Sequence, residues 1–107
     1  MRLPLLSDIE IQRELNALGG WSRRGEAIVK TYEFATFPDA IAWVSRVATA
    51  AETANHHPDL DIRFTRVAAA LTSHESGGVT ARDFALARSM DALAAPGVDG
   101  EEPDLRA

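Results

Sequence analysis

The chain of 107 residues has no cysteine and no long apolar run. The absence of cysteine excludes disulfide cross-links and thiolate metal sites, and nothing else indicates an oxidising compartment. No apolar stretch approaches the ~20 residues that a membrane-spanning helix requires. The apolar start of the chain, residues 1–6, is shorter than the core of a signal peptide and leads directly into a predicted helix. We therefore expect a cytoplasmic protein that does not associate with membranes.

Positive charge is also scarce, because 11 Lys and Arg stand against 16 Asp and Glu and give a formal net charge of −5. Binding to a phosphate backbone requires a clustered positive surface, so this balance argues against nucleic acid as a partner. The length suffices for one domain with one core. We predict a single domain over residues 1–95 and a disordered acidic tail over residues 96–107, where proline, glycine and acidic residues predominate.

Capping residues predict three helices. Ser7, Thr36 and Thr80 are N-cap candidates, and each is followed by apolar residues at helical spacing. The first and third have an acidic residue three positions after the cap, which is the capping-box pattern, and the second has a proline in its first turn. The second helix is expected to continue to about Asn55.

Four segments between these helices are typical of strands. β-forming residues flank a glycine that permits a tight turn, Gly25, and this predicts a first hairpin. Apolar and polar residues alternate from Leu60, and an alanine-rich segment that ends at Ser73 completes a second hairpin. The resulting order, α-β-β-α-β-β-α, predicts a two-layer α+β domain in which helices cover a four-stranded antiparallel sheet.

The second helix carries two apolar rows where one would suffice to cover the sheet. The other row is then free to meet a partner chain or the first helix, which indicates oligomerisation. One row comprises Phe37, Ile41, Val44, Ala48 and Ala51, and the other comprises Ala40, Trp43, Val47, Ala50 and Ala54.

All three histidines lie in two short segments. His56 and His57 end the second helix, because Pro58 disfavours helical backbone at the residue before it. His74 follows the fourth strand, ahead of a glycine pair that lets the loop approach a ligand closely. We expect the helix end and the strand end to meet at one edge of the sheet and to form a small concave site with three imidazoles.

Three interpretations of these histidines are open from the residues alone. They can be surface loop residues, with Asn55 as a helix C-cap and His56 favoured at the negative end of the helix. They can hold a metal ion, although adjacent histidines rarely converge on one ion and neither a thiolate nor a regular ligand spacing is present, so we expect no metal. They can also perform acid/base catalysis, because the ordinary pKa of histidine is about 6.5.

Charged residues near the histidines have two interpretations each. Asp83 is either the acid of the capping box or a group that orients His74. Glu52 either pairs with His56 at the helix end or is simply solvated. Arg82 and Arg63 are candidates for contacting an anionic or carbonyl-rich ligand, and each is equally consistent with ordinary surface charge.

Several of these segments together resemble the pterin-4a-carbinolamine dehydratases, over about residues 7–95. The resemblance implies a β-β-α-β-β-α unit with an added N-terminal helix, and a dimer or tetramer. Leu60 departs from the family pattern, in which many members have an aromatic residue. The segments that carry the likeness are Gly20-Trp21, the strand from Ile28 to Phe34, Phe37 with Ala40, Glu52-x-x-x-His56-His57-Pro58, Leu71-Thr72-Ser73-His74 and Gly77-Gly78-x-Thr80-x-x-Asp83.

The resemblance also implies an activity. The family dehydrates 4a-hydroxytetrahydropterin, a by-product of aromatic amino acid hydroxylases, to quinonoid dihydropterin, with pterin as substrate and without a cofactor. By matched position, His56 and His74 would be the acid/base residues and Asp83 would support His74. The pterin would be bound by His57 together with Pro58 and Glu52.

Some relatives act through protein contacts instead, as dimerisation cofactors of a homeodomain transcription factor or as assembly factors for ribulose bisphosphate carboxylase. A binding-only relative has no need of all the histidines. Because this chain retains all three, the resemblance favours the enzyme.

Overall fold

The structure, a computed structural model, describes residues 3–94 and contains three helices and four strands in the predicted order. The predicted tail over residues 96–107 lies outside the described residues. The helices are α1 (Asp8–Leu18), α2 (Phe37–Ala54) and α3 (Ala81–Ala94), and the strands are β1 (Ser22–Arg24), β2 (Ala27–Glu33), β3 (Asp59–Arg63) and β4 (Arg66–Leu71).

The four strands form one antiparallel sheet with the order β1-β2-β4-β3. Ile28 at the start of β2 pairs with Leu71 at the end of β4, and Asp59 at the start of β3 pairs with Ala70. The chain leaving β4 and the chain entering β3 therefore lie at the same end of the sheet. This register brings the segment of His74 to the segment of His56, as the sequence predicted.

The core lies between one face of the sheet and the helices, so the α+β prediction is confirmed. Burial also decides between the two apolar rows of α2. The row with Trp43 faces the core, whereas Phe37 and Ile41 of the other row remain 46% and 38% exposed. Among the residues described, the largest fully buried side chains are Trp43, Phe84, Ile28, Leu71, Met90, Val47, Val67, Thr80 and Asp83.

The helix caps follow the sequence closely. The Ser7 hydroxyl accepts the N–H of Glu10 at 3.1 Å, and the Glu10 carboxylate accepts the N–H of Ser7 at 2.8 Å, which completes the predicted capping box. These bonds to the Ser7 backbone and side chain lower the pKa of Glu10. Thr36 caps α2 by accepting the N–H of Asp39. Asn55 ends α2 in the left-handed conformation, with φ of 52°, a conformation that asparagine tolerates better than most residues.

A polar cluster surrounds the carboxylate of Asp91 on α3. It accepts hydrogen bonds from the indole of Trp21 at 3.2 Å, the ammonium of Lys30 at 2.9 Å and the hydroxyl of Tyr32 at 2.5 Å. Burial raises the pKa of Tyr32, and the bond to Asp91 raises it further. The cluster joins α3 to β2.

Residues 3–6, here called the N-terminal strap, run beside the loop that follows β4. The N–H of Leu6 donates to the carbonyl of Val79 at 3.0 Å, and the hydroxyl of Ser76 donates to the carbonyl of Leu3 at 2.6 Å. A Cβ at Gly78 would lie 3.1 Å from the side chain of Leu5. The strap therefore packs against the outer side of the loop that carries His74.

Within residues 3–94, none of the helices combines the length and the apolar character needed to cross a membrane.

Candidate active site

His56 is fixed by a buried carboxylate. Its Nε2 atom lies 2.6 Å from Oδ1 of Asp83, and the two residues are 9% and 0% exposed. The left-handed turn at Asn55 redirects the chain, and the His56 N–H then donates to the carbonyl of Ala51 at 3.1 Å. The expectation that Asp83 supports His74 is wrong, because the first turn of α3 places this carboxylate against the end of α2.

Asp83 has two further donors. Its Oδ2 atom accepts the backbone N–H of Thr80 and the hydroxyl of Ser73, both at 2.9 Å. The predicted capping box is thus half formed, since the Thr80 hydroxyl accepts the N–H of Arg82 and not that of Asp83. A carboxylate oxygen accepts hydrogen bonds. His56 then donates through Nε2–H, which leaves Nδ1 as the nitrogen that can exchange a proton with a ligand.

His57 points away from His56, as expected for the residue before a proline, and it has a different partner. Its Nε2 atom lies 2.6 Å from Oε2 of Glu52, and both side chains are exposed. Glu52, considered above as a partner of His56, therefore contacts His57. An exposed pair of this kind contributes little to stability, but it orients the ring.

His74 lies at the start of a tight loop that closes on Ser73. The N–H of Ser73 donates to the carbonyl of Gly78 at 2.9 Å, and the Ser73 carbonyl accepts the N–H of Gly77 at 2.9 Å. Gly77 has φ of 81°, a conformation that residues with a Cβ rarely adopt. The side chain of His74 is exposed.

A cavity of about 310 Å³ brings the three imidazoles together. The predicted concave site at one sheet edge is therefore present. Pro58 is half-buried beside it and not among the lining residues, and Arg63 lies elsewhere, paired with Asp61 at 3.0 Å. The lining residues are Asn55, His56, His57, Thr72, Ser73, His74, Glu75 and Arg82.

Sequence reasoning missed the role of Ser73 and the lining positions of Thr72 and Glu75. The signal available in the sequence was that these residues flank His74, a histidine that follows a predicted strand end. Arg82, considered as a ligand contact, does line the cavity, and its guanidinium lies 3.7 Å from Glu75.

A larger hollow, of about 470 Å³, lies on the open face of the sheet. Its floor is made of small residues such as Ala68 and Ala70, and it contains no histidine. Leu60 lines this hollow and not the histidine cavity, so its departure from the family pattern does not alter the wall around the imidazoles. The histidine cavity is the better candidate for proton-transfer chemistry, because it is lined by three histidines, the side chain most often used in general acid–base catalysis.

Among residues 3–94, no group of three or more histidine, aspartate or glutamate side chains is arranged to hold a metal ion.

Comparison with known proteins agrees with this geometry. The family described as pterin 4 alpha carbinolamine dehydratase matches residues 4–93. The chain belongs to this family. The match contains every residue of the histidine cavity, so the site and the family assignment coincide.

Similar proteins carry the same family name. The chain is 52% identical over 89 residues to a protein of Thermomicrobium roseum, which covers 83% of this chain and 96% of that one. It is 50% identical over 94 residues to a protein of Nocardia farcinica, covering 88% of this chain and 99% of that one. Both are named "Putative pterin-4-alpha-carbinolamine dehydratase".

Two solved structures are also similar. A transcriptional coactivator/pterin dehydratase from Brucella melitensis has a TM-score of 0.83 and 34% identity, over 85% of this chain and 99% of that chain. A pterin dehydratase-like protein described as a RuBisCO assembly factor in the alpha-carboxysome has a TM-score of 0.58 and 23% identity, over 69% of this chain and 86% of that chain. The second likeness shows the fold alone.

Proposed function

We propose that the protein catalyses the dehydration of 4a-hydroxytetrahydropterin to quinonoid dihydropterin and water. The observation that carries this proposal is the cavity in which three imidazoles meet, one of them fixed on the buried carboxylate of Asp83. Its volume of about 310 Å³ lies at the lower end of the range for small-ligand sites, roughly 300–1,000 Å³.

The reaction requires two proton transfers. An acid delivers a proton to the hydroxyl on C4a, and the C4a–O bond breaks to release water. A base removes the proton from N5, and the electron pair of that N–H bond becomes part of the new C4a=N5 double bond. Two groups that titrate near neutrality satisfy both transfers without a change of oxidation state.

His56 and His74 are the proposed acid/base residues. His56 exchanges its proton at Nδ1, because Asp83 occupies its Nε2. The exposed ring of His74 lines the same cavity from the loop that follows β4. Each transfer is expected to contribute on the order of 10²- to 10⁴-fold.

The proposed substrate-binding side chains line the cavity and are not held by a buried partner. His57, held by Glu52, is the proposed contact for the pterin ring. The guanidinium of Arg82 is suited to the ring carbonyl, since arginine donates to carbonyl and carboxylate oxygens in a fixed plane. Pro58 acts indirectly, by fixing the backbone that turns His57 toward the cavity.

The experiment is a stopped-flow measurement of 4a-hydroxytetrahydropterin breakdown by the full chain and by folded His56→Ala, His74→Ala and His57→Ala variants. We expect kcat to fall roughly 10²- to 10⁴-fold for His56→Ala and His74→Ala. The matched control, His57→Ala, should raise KM more than it lowers kcat, because it removes a binding contact. A parent protein that is no faster than buffer would show that the proposed activity is wrong.

The proposed setting is tetrahydropterin recycling in the cytoplasm, downstream of an aromatic amino acid hydroxylase. The proposed assembly is a homodimer or homotetramer, in which the exposed side of α2 meets a second copy. Phe37 and Ile41 support this assembly, since their large apolar side chains are exposed on that side of α2.

The same surface favours a second candidate function, binding to another protein in the manner of a coactivator or assembly factor. The two functions make different demands on the histidines. A variant with all three histidines replaced by alanine should lose a catalytic role and keep a binding role, so complementation by that variant distinguishes them.

A further inference from the structure

One buried serine connects the two sides of the histidine cavity. We propose that Ser73 is a positioning residue for both His56 and His74, through its side chain in the first case and its backbone in the second. The inference rests on the proposed function for its catalytic meaning. Its structural part, the control of His56 by a serine hydroxyl, is testable without substrate.

The side-chain path runs through Asp83. The Ser73 hydroxyl donates to Oδ2 of Asp83 at 2.9 Å, and the other carboxylate oxygen lies 2.6 Å from the His56 ring. The Ser73 hydroxyl also lies 2.8 Å from the hydroxyl of Thr80. All of these groups are buried, and the chain of hydrogen bonds fixes the rotamer of Asp83.

The backbone path closes the loop that carries His74. The Ser73 N–H donates to the carbonyl of Gly78 at 2.9 Å, and the Ser73 carbonyl accepts the N–H groups of Ser76 at 3.0 Å and Gly77 at 2.9 Å. His74 is the first residue inside this turn. A side-chain substitution at Ser73 leaves these backbone bonds available, so the two paths are separable by mutation.

Ser73→Ala removes a neutral donor and changes no formal charge. Asp83 then keeps the N–H of Thr80 and the ring of His56 as partners. With one donor fewer, the carboxylate directs more of its negative charge at the His56 ring, which favours the protonated imidazole. The midpoint of the His56 titration should therefore move to higher pH.

Other groups around the cavity also act on His56, and the substitution leaves them in place. They are the titratable or charged side chains of Glu52 and His57 at the end of α2, His74 and Glu75 on the loop after β4, and Arg82 on α3.

The test is an NMR titration of the three imidazoles in the full chain, with signals assigned from single histidine variants. In Ser73→Ala the His56 midpoint should rise by about 0.5 pH unit or more, since a hydrogen bond to a charged group is worth about one to two such units. The His74 midpoint should stay at the parent value. Ser73→Thr keeps a hydroxyl and should restore the His56 midpoint.

Thr49→Ala is the matched control, because it removes an exposed hydroxyl that bonds only the carbonyl of Ser45 within α2. It should leave all three titrations unchanged. If Ser73→Ala does not fold, Ser73→Cys keeps the volume and weakens the donor, and the same upward movement is expected. A His56 midpoint that stays constant or falls, or an equal movement at His74, would overturn the proposal.

Kinetics separate this inference from the proposed function. If the parent is an active dehydratase, the acidic limb of its kcat/KM profile should move to higher pH in Ser73→Ala and return in Ser73→Thr. If the parent is inactive, the proposed function fails, while the NMR titration still decides whether Ser73 controls His56.

Discussion

The ring of His56 owes its position to residues that are distant in sequence. Asp83 approaches it from α3 and Ser73 supports Asp83 from the end of β4. The buried carboxylate of Asp83 thus has three hydrogen-bond partners, the ring of His56, the hydroxyl of Ser73 and the backbone N–H of Thr80. The hydrogen bond to Asp83 therefore also determines which ring nitrogen of His56 can exchange a proton with a ligand.

Tyr32 provides a test of a buried ionisable group. Because burial and Asp91 raise its pKa, the folded protein holds this proton more tightly than the unfolded chain, whose tyrosine has an ordinary pKa of about 10. The stability that depends on this group is fully present below about pH 10 and decreases as pH rises further. We expect the urea midpoint to fall as pH rises above about 10, more steeply in the parent than in Tyr32→Phe.

Absorbance at 295 nm checks the cause, since the chain has one tyrosine. Tyrosinate should appear together with the loss of far-UV circular dichroism. Ionisation of Tyr32 in a protein that remains folded at pH 10 would contradict the prediction.

At this scale the sequence predicted which residues form the site better than which residues pair. Motif and spacing predicted that the three histidines and Arg82 belong to the site and that Asp83 lies close to it. The pairings were not, because helical spacing ceases to apply where Asn55 turns left-handed. Beyond that residue, the direction of the His56 ring depends on tertiary packing.

Among the structural elements, the loop between β4 and α3 places a glycine of positive φ next to the proposed chemistry. Gly77, at φ of 81°, has no heavy atom within 4 Å of the position where a Cβ would be. A side chain there causes backbone strain without a clash. Strain at this position would shift the turn that begins at His74.

Gly77→Ala should lower the free energy of unfolding by about 1–2 kcal/mol, the cost of a left-handed residue with a Cβ. It should also lower kcat roughly 10- to 100-fold through displacement of His74. The matched control is Gly19→Ala, at φ of 75° with equally open space at the end of α1. Urea unfolding and stopped-flow kinetics should show similar destabilisation in both variants and a loss of rate only in Gly77→Ala; equal rates would contradict the prediction.

Element types and order followed from capping and periodicity, and the boundaries moved by one or two residues. The predicted fourth strand, for example, continued to Ser73, whereas β4 ends at Leu71 and Ser73 forms an isolated bridge with Gly78. Alternation alone does not distinguish a strand from the first residues of a turn. Periodicity likewise could not decide which row of α2 faces the sheet, because both rows are apolar.

For the whole molecule, the exposed side of α2 is the surface most suited to association. Ile41 lies at the start of the second turn of α2, and Phe37 lies one turn earlier. The proposed homo-oligomer would bury both side chains. Their exposure in the single chain is otherwise a solubility cost.

Ile41→Lys should therefore reduce the mass measured by light scattering, by half or more, because a charge would have to be buried in the interface. Ile9→Lys is the control, since Ile9 on α1 is 63% exposed in the single chain and lies outside the proposed interface. A parent that is monomeric at micromolar concentration, or a parent and an Ile41→Lys variant of equal mass, would contradict the proposed assembly.

The sequence predicted the two-layer fold but not the strand order β1-β2-β4-β3. Local patterns define hairpins, whereas the pairing of β2 with β4 depends on how α2 crosses the sheet. That pairing, more than any motif, makes the histidine cavity possible.

The N-terminal strap also constrains the order in which the site forms during synthesis. Leu3 is synthesised well before its hydrogen-bond partner, because the hydroxyl that donates to its carbonyl belongs to Ser76, 73 positions later. Chains are made at about 5–20 residues per second, so the strap waits several seconds for its partner. The hydrogen bonds that join the strap to the loop of His74 therefore form only after residues 76–79 have left the exit tunnel.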